Sequence, residues 1–150
     1  MEHPILLIKE AVIKKLRTLD PDIDVFCEEI KETGQGLNQS RTWYYLDLIP
    51  GSHETVDGLF TDMNILVDIS YHTKTESNTD YLIKGSQLDS AMRPVLRFGD
   101  RAITIHSAES KVVDHVLHYR FSLQFRHSFA QIKENDRMGE LEIGVKKEDV

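Results

Sequence analysis

A strict two-residue alternation late in the sequence constrains the fold more than any other feature. From position 117 to position 126, apolar side chains alternate with polar or charged ones. Because successive side chains of a strand point to opposite faces, the pattern predicts a strand with one buried and one polar face. The apolar set is Leu117, Tyr119, Phe121, Leu123 and Phe125, and the polar set is His118, Arg120, Ser122, Gln124 and Arg126.

Three earlier segments also have the composition of strands. β-Forming residues dominate Ile23–Ile30 and Arg41–Ile49. The second of these ends at Pro50-Gly51, a turn dipeptide, and a polar loop is expected over Ser52–Gly58. Apolar and polar residues alternate again over Asn64–Tyr71, which predicts a third strand.

Two segments have the spacing of amphipathic helices. The first is Pro4–Leu19, which begins with a proline suited to a first helical turn and is ended by Asp20-Pro21, because the residue before a proline avoids helical dihedrals. The second begins at Tyr81 and is predicted to run to Phe98, with Pro94 near its end. Gly99-Asp100 is the expected C-terminal stop of this helix.

The order of elements predicts the fold class. Helix, three strands, helix and two strands indicate an α+β domain, with one mostly antiparallel sheet of four to five strands and two helices on one face. The strand Arg101–His106 is expected to pair with the strand at 117–126 through a hairpin at Ser107–Lys111. With 150 residues, one domain is expected over 1–130, followed by a charged tail over 131–150.

Composition excludes several classes of protein. The single cysteine, Cys27, permits no intrachain disulfide and no cysteine-based metal cluster. The formal net charge of -7 opposes attraction to nucleic acid and to anionic membranes. No apolar run has the roughly 20 residues that a membrane-spanning helix needs, and the chain is expected to stay where it is made.

The sequence contains no convincing catalytic or metal-binding motif. His115 and His118 would point to opposite faces of a strand, which disfavours a shared metal ion. The triplet Ser52-His53-Glu54 has the residue types of a hydrolase triad, but such groups converge from separate segments. Paired carboxylates such as Asp20 and Asp22 are interpreted as solvated surface charge. We therefore expect no enzyme, no cofactor and no metal.

The aromatic run Trp43-Tyr44-Tyr45 is the best candidate for a contact surface. Consecutive strand residues place at least one ring on each face of the sheet. Because aromatic residues are enriched at the centres of interfaces, one side is interpreted as core and the other as interface.

Four segments, in this order, resemble the small tail terminator (tail completion) proteins of long-tailed bacteriophages and of Gram-positive prophages. A leading amphipathic helix runs into Asp22–Lys31, which contains an Asp-Ile strand and a Glu-Glu-Ile. Tyr45–Pro50 is similar to an apolar strand that ends in a proline turn. Val67–Tyr71 leads through a polar segment into the second helix, and Val113–Tyr119 is similar to the entry to the last strand.

The resemblance implies a structural, non-enzymatic phage assembly protein. It implies a homo-oligomeric ring of six subunits on the head-proximal end of the tail tube, which stops tube polymerisation and forms part of the head-tail joint. The implied partners are a second copy of the chain, the tail tube protein and the head-tail connector protein, with DNA only as a passing occupant of the channel and with no membrane. The implied locations are the virion tail and, during assembly, the host cytoplasm.

Contacts to other subunits are expected from polar loops and exposed aromatic or charged side chains. The candidate segments are the loop Thr33–Ser40, the loop Gly51–Gly58 and the tail from Gln131. The candidate residues are Arg41, Trp43, Tyr45, His53, Glu54, Arg120 and Arg126. Two alternatives stay open: another ring-forming connector, such as a head closure protein, or a small ligand-binding or enzymatic domain with a pocket around His53 or His72.

Overall fold

A computed structural model describes residues 3–27, 42–75 and 77–128. Within these ranges the chain forms two α-helices and seven β-strands, which confirms the α+β class. The elements are α1 Pro4–Leu19, β1 Asp24–Phe26, β2 Trp43–Thr55, β3 Phe60–His72, α2 Asn78–Met92, β4 Val95–Phe98, β5 Arg101–Thr104, β6 Ala108–Val113 and β7 Val116–Ser128. The predicted loop Thr33–Ser40, the candidate residue Arg41 and the tail over 131–150 lie outside the described residues.

Helix α1 has the bounds that the sequence predicts. The side chain of His3 accepts a hydrogen bond from the backbone N–H of Ile5, and Pro4 lies in the first turn. At the other end, the N–H of Asp20 donates to the carbonyl of Leu16 at 2.9 Å. The buried stripe of the helix consists of Pro4, Ile8, Val12 and Leu16. Apolar periodicity and its proline boundary therefore determine this helix.

The main sheet has five strands in the order β1-β2-β3-β7-β6. Strand β1 pairs parallel to β2, with Val25 opposite Tyr44, and β6 pairs antiparallel to β7. The apolar set of the alternating strand is buried in β7, as predicted, and alternate apolar residues of β3 are buried as well. The buried apolar residues of these two strands are Met63, Ile65, Val67, Ile69, Leu117, Tyr119, Phe121, Leu123 and Phe125.

The predicted end of the second strand at Pro50-Gly51 is wrong, because β2 continues to Thr55. A proline removes a ladder donor, but β1 covers only Trp43–Tyr45 of β2, so Pro50 meets no described partner strand on that edge. A Cβ at Gly51 would lie 2.2 Å from the carbonyl oxygen of Asn64 in β3. Gly51 therefore permits close strand pairing instead of a turn, and the expected loop Ser52–Gly58 is mostly strand.

The second helix is shorter than predicted. It ends at Met92, and Val95–Phe98 forms strand β4 instead of a last helical turn. Arg93 has extended dihedrals, as expected of a residue that precedes a proline. The expected helix stop at Gly99-Asp100 is the turn between β4 and β5, in which Gly99 has a φ of 59°. The helix therefore ends before Pro94, although the apolar spacing favours its continuation to Phe98.

The predicted partner of the alternating strand is also wrong. Strand β5 pairs with β4 in a separate two-stranded sheet, and β6 forms the hairpin with β7. The turn lies at Asp114 and His115, which have φ values of 50° and 63°. Two consecutive residues with positive φ are typical of the tight turn that matches the twist of a hairpin.

The chain divides into two compact units. The larger unit comprises Met1–Pro50 and Ile65–Leu123, and the smaller comprises Gly51–Asn64 and Gln124–Val150. Both helices and most of the buried apolar side chains belong to the larger unit. Among the described residues of the smaller unit, only Met63 and Phe125 are buried apolar residues.

Candidate assembly surfaces

An aromatic cluster lies on the side of the sheet away from the buried apolar set. The rings of Trp43 and His72 are stacked, with centroids 3.7 Å apart and planes 3° from parallel, and Phe26 meets Trp43 edge-on at 5.8 Å. Burial lowers the pKa of His72, and the nearby His118 lowers it further. The neutral imidazole is therefore favoured. Tyr44, between Trp43 and Tyr45 in sequence, is fully buried, so the predicted division of the aromatic run between two faces is confirmed.

A polar cluster is centred on Asp68 in β3, which is buried although it carries a charge. Its carboxylate accepts from the Nε of Arg120 at 3.2 Å and lies 3.1 Å from the Nδ1 of His118. The same nitrogen is 3.3 Å from the Oγ of Ser70, which is also buried. Two side chains thus contact one carboxylate, and Ser70 contacts one of them, which satisfies the rule that buried charges are paired.

A second buried cluster ties the helices to the sheet. Lys84 in α2 donates to the Oδ2 of Asp20 at 2.7 Å, and the hydroxyl of Tyr44 donates to the same oxygen. The Nζ of Lys84 also lies 5.0 Å from the ring centroid of Tyr71. Burial, and then the bond to Asp20, raise the pKa of Tyr44. Asp20 is therefore a structural counter-ion, and its interpretation as solvated charge was wrong.

A groove lies between α2 and β6. Its lining includes Tyr81, Gly85, Asp89, Val112 and Tyr119. A Cβ at Gly85 would lie 2.9 Å from the Oγ of Ser110, so a glycine allows α2 to lie close to β6. The hydroxyl of Tyr119 donates to Asp89 at 2.7 Å, and the Nε and Nη2 of Arg93 donate to the same carboxylate. Because these polar groups are already paired with one another, they are not the convergent, ligand-directed groups of a small-molecule site.

The hairpin between β2 and β3 carries exposed apolar side chains. Val56 is 38%, Leu59 52% and Phe60 37% exposed. The turn is ordered, because the Asp57 carboxylate accepts from the N–H groups of Leu59 at 2.8 Å and Phe60 at 3.0 Å. A fixed turn presents these apolar groups in one arrangement, which is typical of a binding surface.

The structure places the predicted interface residues in different settings. Trp43 and Tyr45 are half-buried, and His53 and Glu54 are exposed in β2. Arg120 binds Asp68, while Arg126 binds Asp62 at 2.9 Å and remains 57% exposed. The bond to Arg126 lowers the pKa of Asp62. Neither His53 nor His72 lines the groove between α2 and β6.

Sequence reasoning missed the turn residue Asp57 and the exposed Leu59 and Phe60. The signal was present, because Asp-Gly at positions 57 and 58 between two β-rich runs is a strong hairpin indicator. Over residues 3–27, 42–75 and 77–128, no group of three or more histidine, cysteine or acidic side chains is arranged to hold a metal ion. No helix in the same ranges is long and apolar enough to span a bilayer.

Fold and surfaces together define a class: a small α+β protein with exposed apolar and charged patches and with paired internal polar groups. The sequence model of a phage tail terminator protein family matches residues 7–137. The chain therefore belongs to the phage tail terminator family, and it is a structural protein of the phage virion tail.

Other comparisons add little. A search of curated proteins found no match. Seven chains of solved structures match, and one of them covers 85% of this chain and 97% of its own length, at 14% identity and a TM-score of 0.47.

Proposed function

We propose that this protein terminates the tail tube. In this proposal, copies of the chain form a six-membered ring on the head-proximal end of the tube, stop its polymerisation and form part of the head-tail joint. Membership of the tail terminator family is the observation that carries the proposal. The partners are a second copy, the tube protein and the head-tail connector protein.

The described surface supports an assembly role. A ring requires heterologous contacts, in which two different patches of each subunit meet. Exposed apolar side chains occur at separate places on the chain, on the hairpin and on α2, where Leu82 is 67% and Ile83 52% exposed. Exposed apolar residues that lie next to one another, as in each of these two places, are more typical of protein contact surfaces than single ones.

The charge of the chain supports a position around a DNA channel. Nonspecific DNA binding is driven by the counterions that leave DNA when protein cations neutralise its phosphates. A chain with a formal net charge of -7 is instead repelled by the phosphates. DNA would therefore pass a ring of this protein without being held.

Tube growth in the presence of this protein tests the proposal. Purified tube protein from the same phage is polymerised alone or with the terminator, and tube lengths are measured by negative-stain electron microscopy. We expect shorter tubes, with a ring at one end only. Decoration along the tube sides, or an unchanged length distribution at saturating protein, would contradict capping. Binding to the head connector but never to tubes would identify a head closure protein instead.

A further inference from the structure

The outward face of α1, opposite the buried stripe, combines two apolar side chains with three charged ones. Leu6, Glu10, Ile13 and Arg17 follow one another at intervals of three or four residues, and Lys14 lies beside them. Leu6 is 47% exposed although it belongs to a helix whose other face forms core. Ile13, Lys14 and Arg17 line an open depression on this face. We call the five residues the basic stripe.

The cations of the basic stripe lie on the same face as one acidic residue, Glu10, which lines the same depression. Within the described part of the chain, neither Lys14 nor Arg17 forms an ion pair. By contrast, Lys15 on the same helix donates to the carbonyl of Ala91, and Lys84 is neutralised by Asp20. The stripe thus combines exposed apolar groups with positive charge that is available to another molecule.

The hairpin has the opposite combination. Val56 and Phe60 are joined by a hydrogen bond across the turn, so strand alternation places Glu54 on the face that also carries Val56 and Phe60. In the described ranges, Glu54 forms no ion pair, whereas Asp57 accepts from backbone N–H groups and is close enough to Arg126 to help raise the pKa of that guanidinium. We call Glu54, Val56, Asp57, Leu59 and Phe60 the acidic tip.

We propose that the acidic tip of one copy binds the basic stripe of α1 on the next copy. Each surface has apolar side chains that are at least partly exposed. The stripe has two cations and one carboxylate, and the tip has two carboxylates, so the two surfaces have opposite net charge. Because the two patches differ, the contact is heterologous, which is the kind that rings require. This inference rests on the proposed ring and names the surfaces that form it.

The contact is expected to be weak for a single pair and cooperative for a ring. A hairpin tip and one helix face bury less area than the roughly 1,600 Å² of a standard stable interface. Ring closure makes the last contact intramolecular, which raises its effective concentration. Partly exposed charges are screened by salt, so high ionic strength should weaken association.

Charge reversal tests the pairing. Glu54→Lys and Lys14→Glu each place like charges against each other, and each should weaken self-association by about tenfold or more. Neither side chain is buried, and circular dichroism verifies that each variant is folded. Association is followed by sedimentation and native mass spectrometry over a concentration series. Glu109→Lys and Lys111→Glu, in exposed positions of β6, make the same charge changes at residues that belong to neither surface and should associate like wild type.

Mixing the two deficient variants provides the sharper test. In an alternating ring, the altered tip of the Glu54→Lys variant would face the altered stripe of the Lys14→Glu variant, so the charges at that contact would again be opposite. The native surfaces of both variants would meet at the remaining contacts. The mixture, like the double variant Glu54→Lys/Lys14→Glu, should recover association to within about threefold of wild type. An internal contact within one copy would be restored in the double variant but not by mixing.

Three results would overturn the inference: wild-type association of the single variants, no recovery on mixing, or a wild-type protein that is monomeric at every concentration. The tube-length assay separates this failure from that of the proposed function. If wild type shortens the tubes but the charge variants associate like wild type, only the proposed pair of surfaces is rejected. Absence of any effect of wild type on tube length would reject the terminator role itself.

Discussion

The larger and smaller units differ in where their ion pairs lie: the larger contains buried ones, whereas the Asp62–Arg126 pair of the smaller is exposed. In the larger unit, Lys84 and Asp68 are buried and each has a charged partner, and most apolar side chains are enclosed. In the described part of the smaller unit, Leu59 and Phe60 are exposed and Glu54 has no ion partner. Ion pairs inside the protein stabilise its fold, whereas exposed apolar and unpaired charged side chains can contact another subunit. Substitutions in the two units should therefore have different consequences.

The largest loss of stability is expected from Asp20→Ala. It would leave the buried ammonium of Lys84 without its counter-ion, which costs about 3 kcal/mol of unfolding free energy. Urea unfolding measures the change. Lys84→Met keeps the apolar stem and should cost less, and Asp20→Ala/Lys84→Met should be more stable than Asp20→Ala alone. A loss below about 0.5 kcal/mol for Asp20→Ala would show that this pair does not stabilise the larger unit.

Gly51→Ala should have the next largest effect, and the effect should be local. Its Cβ would meet the backbone oxygen of Asn64, which cannot move without breaking the pairing of β2 with β3. Amide hydrogen exchange should accelerate over 52–64, with little change in β7 residues near Leu117. Gly58→Ala is the matched control, because nothing lies within 4 Å of a Cβ there. Equal amide exchange rates over 52–64 in the Gly51→Ala and Gly58→Ala variants would contradict this prediction.

A smaller effect is expected from pH, through His72 in the larger unit. Burial lowers its folded pKa below the ordinary 6.5, so the unfolded chain takes up the proton first as pH falls. The stabilising contribution is therefore complete above about pH 6.5 and is lost as pH falls through the folded pKa. His72→Phe keeps an aromatic ring against Trp43 and should show a smaller fall in thermal midpoint between about pH 7.5 and about pH 5. Identical pH profiles would contradict this role.

The smallest effect is expected from Asp62→Asn in the smaller unit. Arg126 lowers the pKa of Asp62, but the pair is solvent-exposed, and such pairs contribute little to stability. The thermal midpoint should stay within experimental error of wild type. A clear drop would show that the smaller unit depends on internal ion pairing as the larger one does.

Elements with a strong local pattern were predictable from sequence. The bounds of α1, the alternating faces of β7 and the division of the aromatic run Trp43-Tyr44-Tyr45 between two faces follow from the periodicities of helix and strand. The sequence-based predictions were wrong where two local signals favoured different structures. At Pro94, apolar spacing favoured a helix, but the proline ended it and β4 followed. At Pro50, turn composition favoured a loop, but an edge position allowed the strand to continue.

The amino-acid sequence by itself determined the α+β class and which face of each strong strand is buried, because these depend on periodicities of two and 3.6 residues. Only the tertiary structure decided that Asp20 neutralises Lys84, that β6 instead of β5 pairs with β7, and which charged groups remain unpaired. These features join residues far apart in the chain, so their energies depend on distances and burial that no local pattern contains. The same is true of the acidic tip and the basic stripe, because only the fold decides that their charged side chains are exposed and can contact another copy.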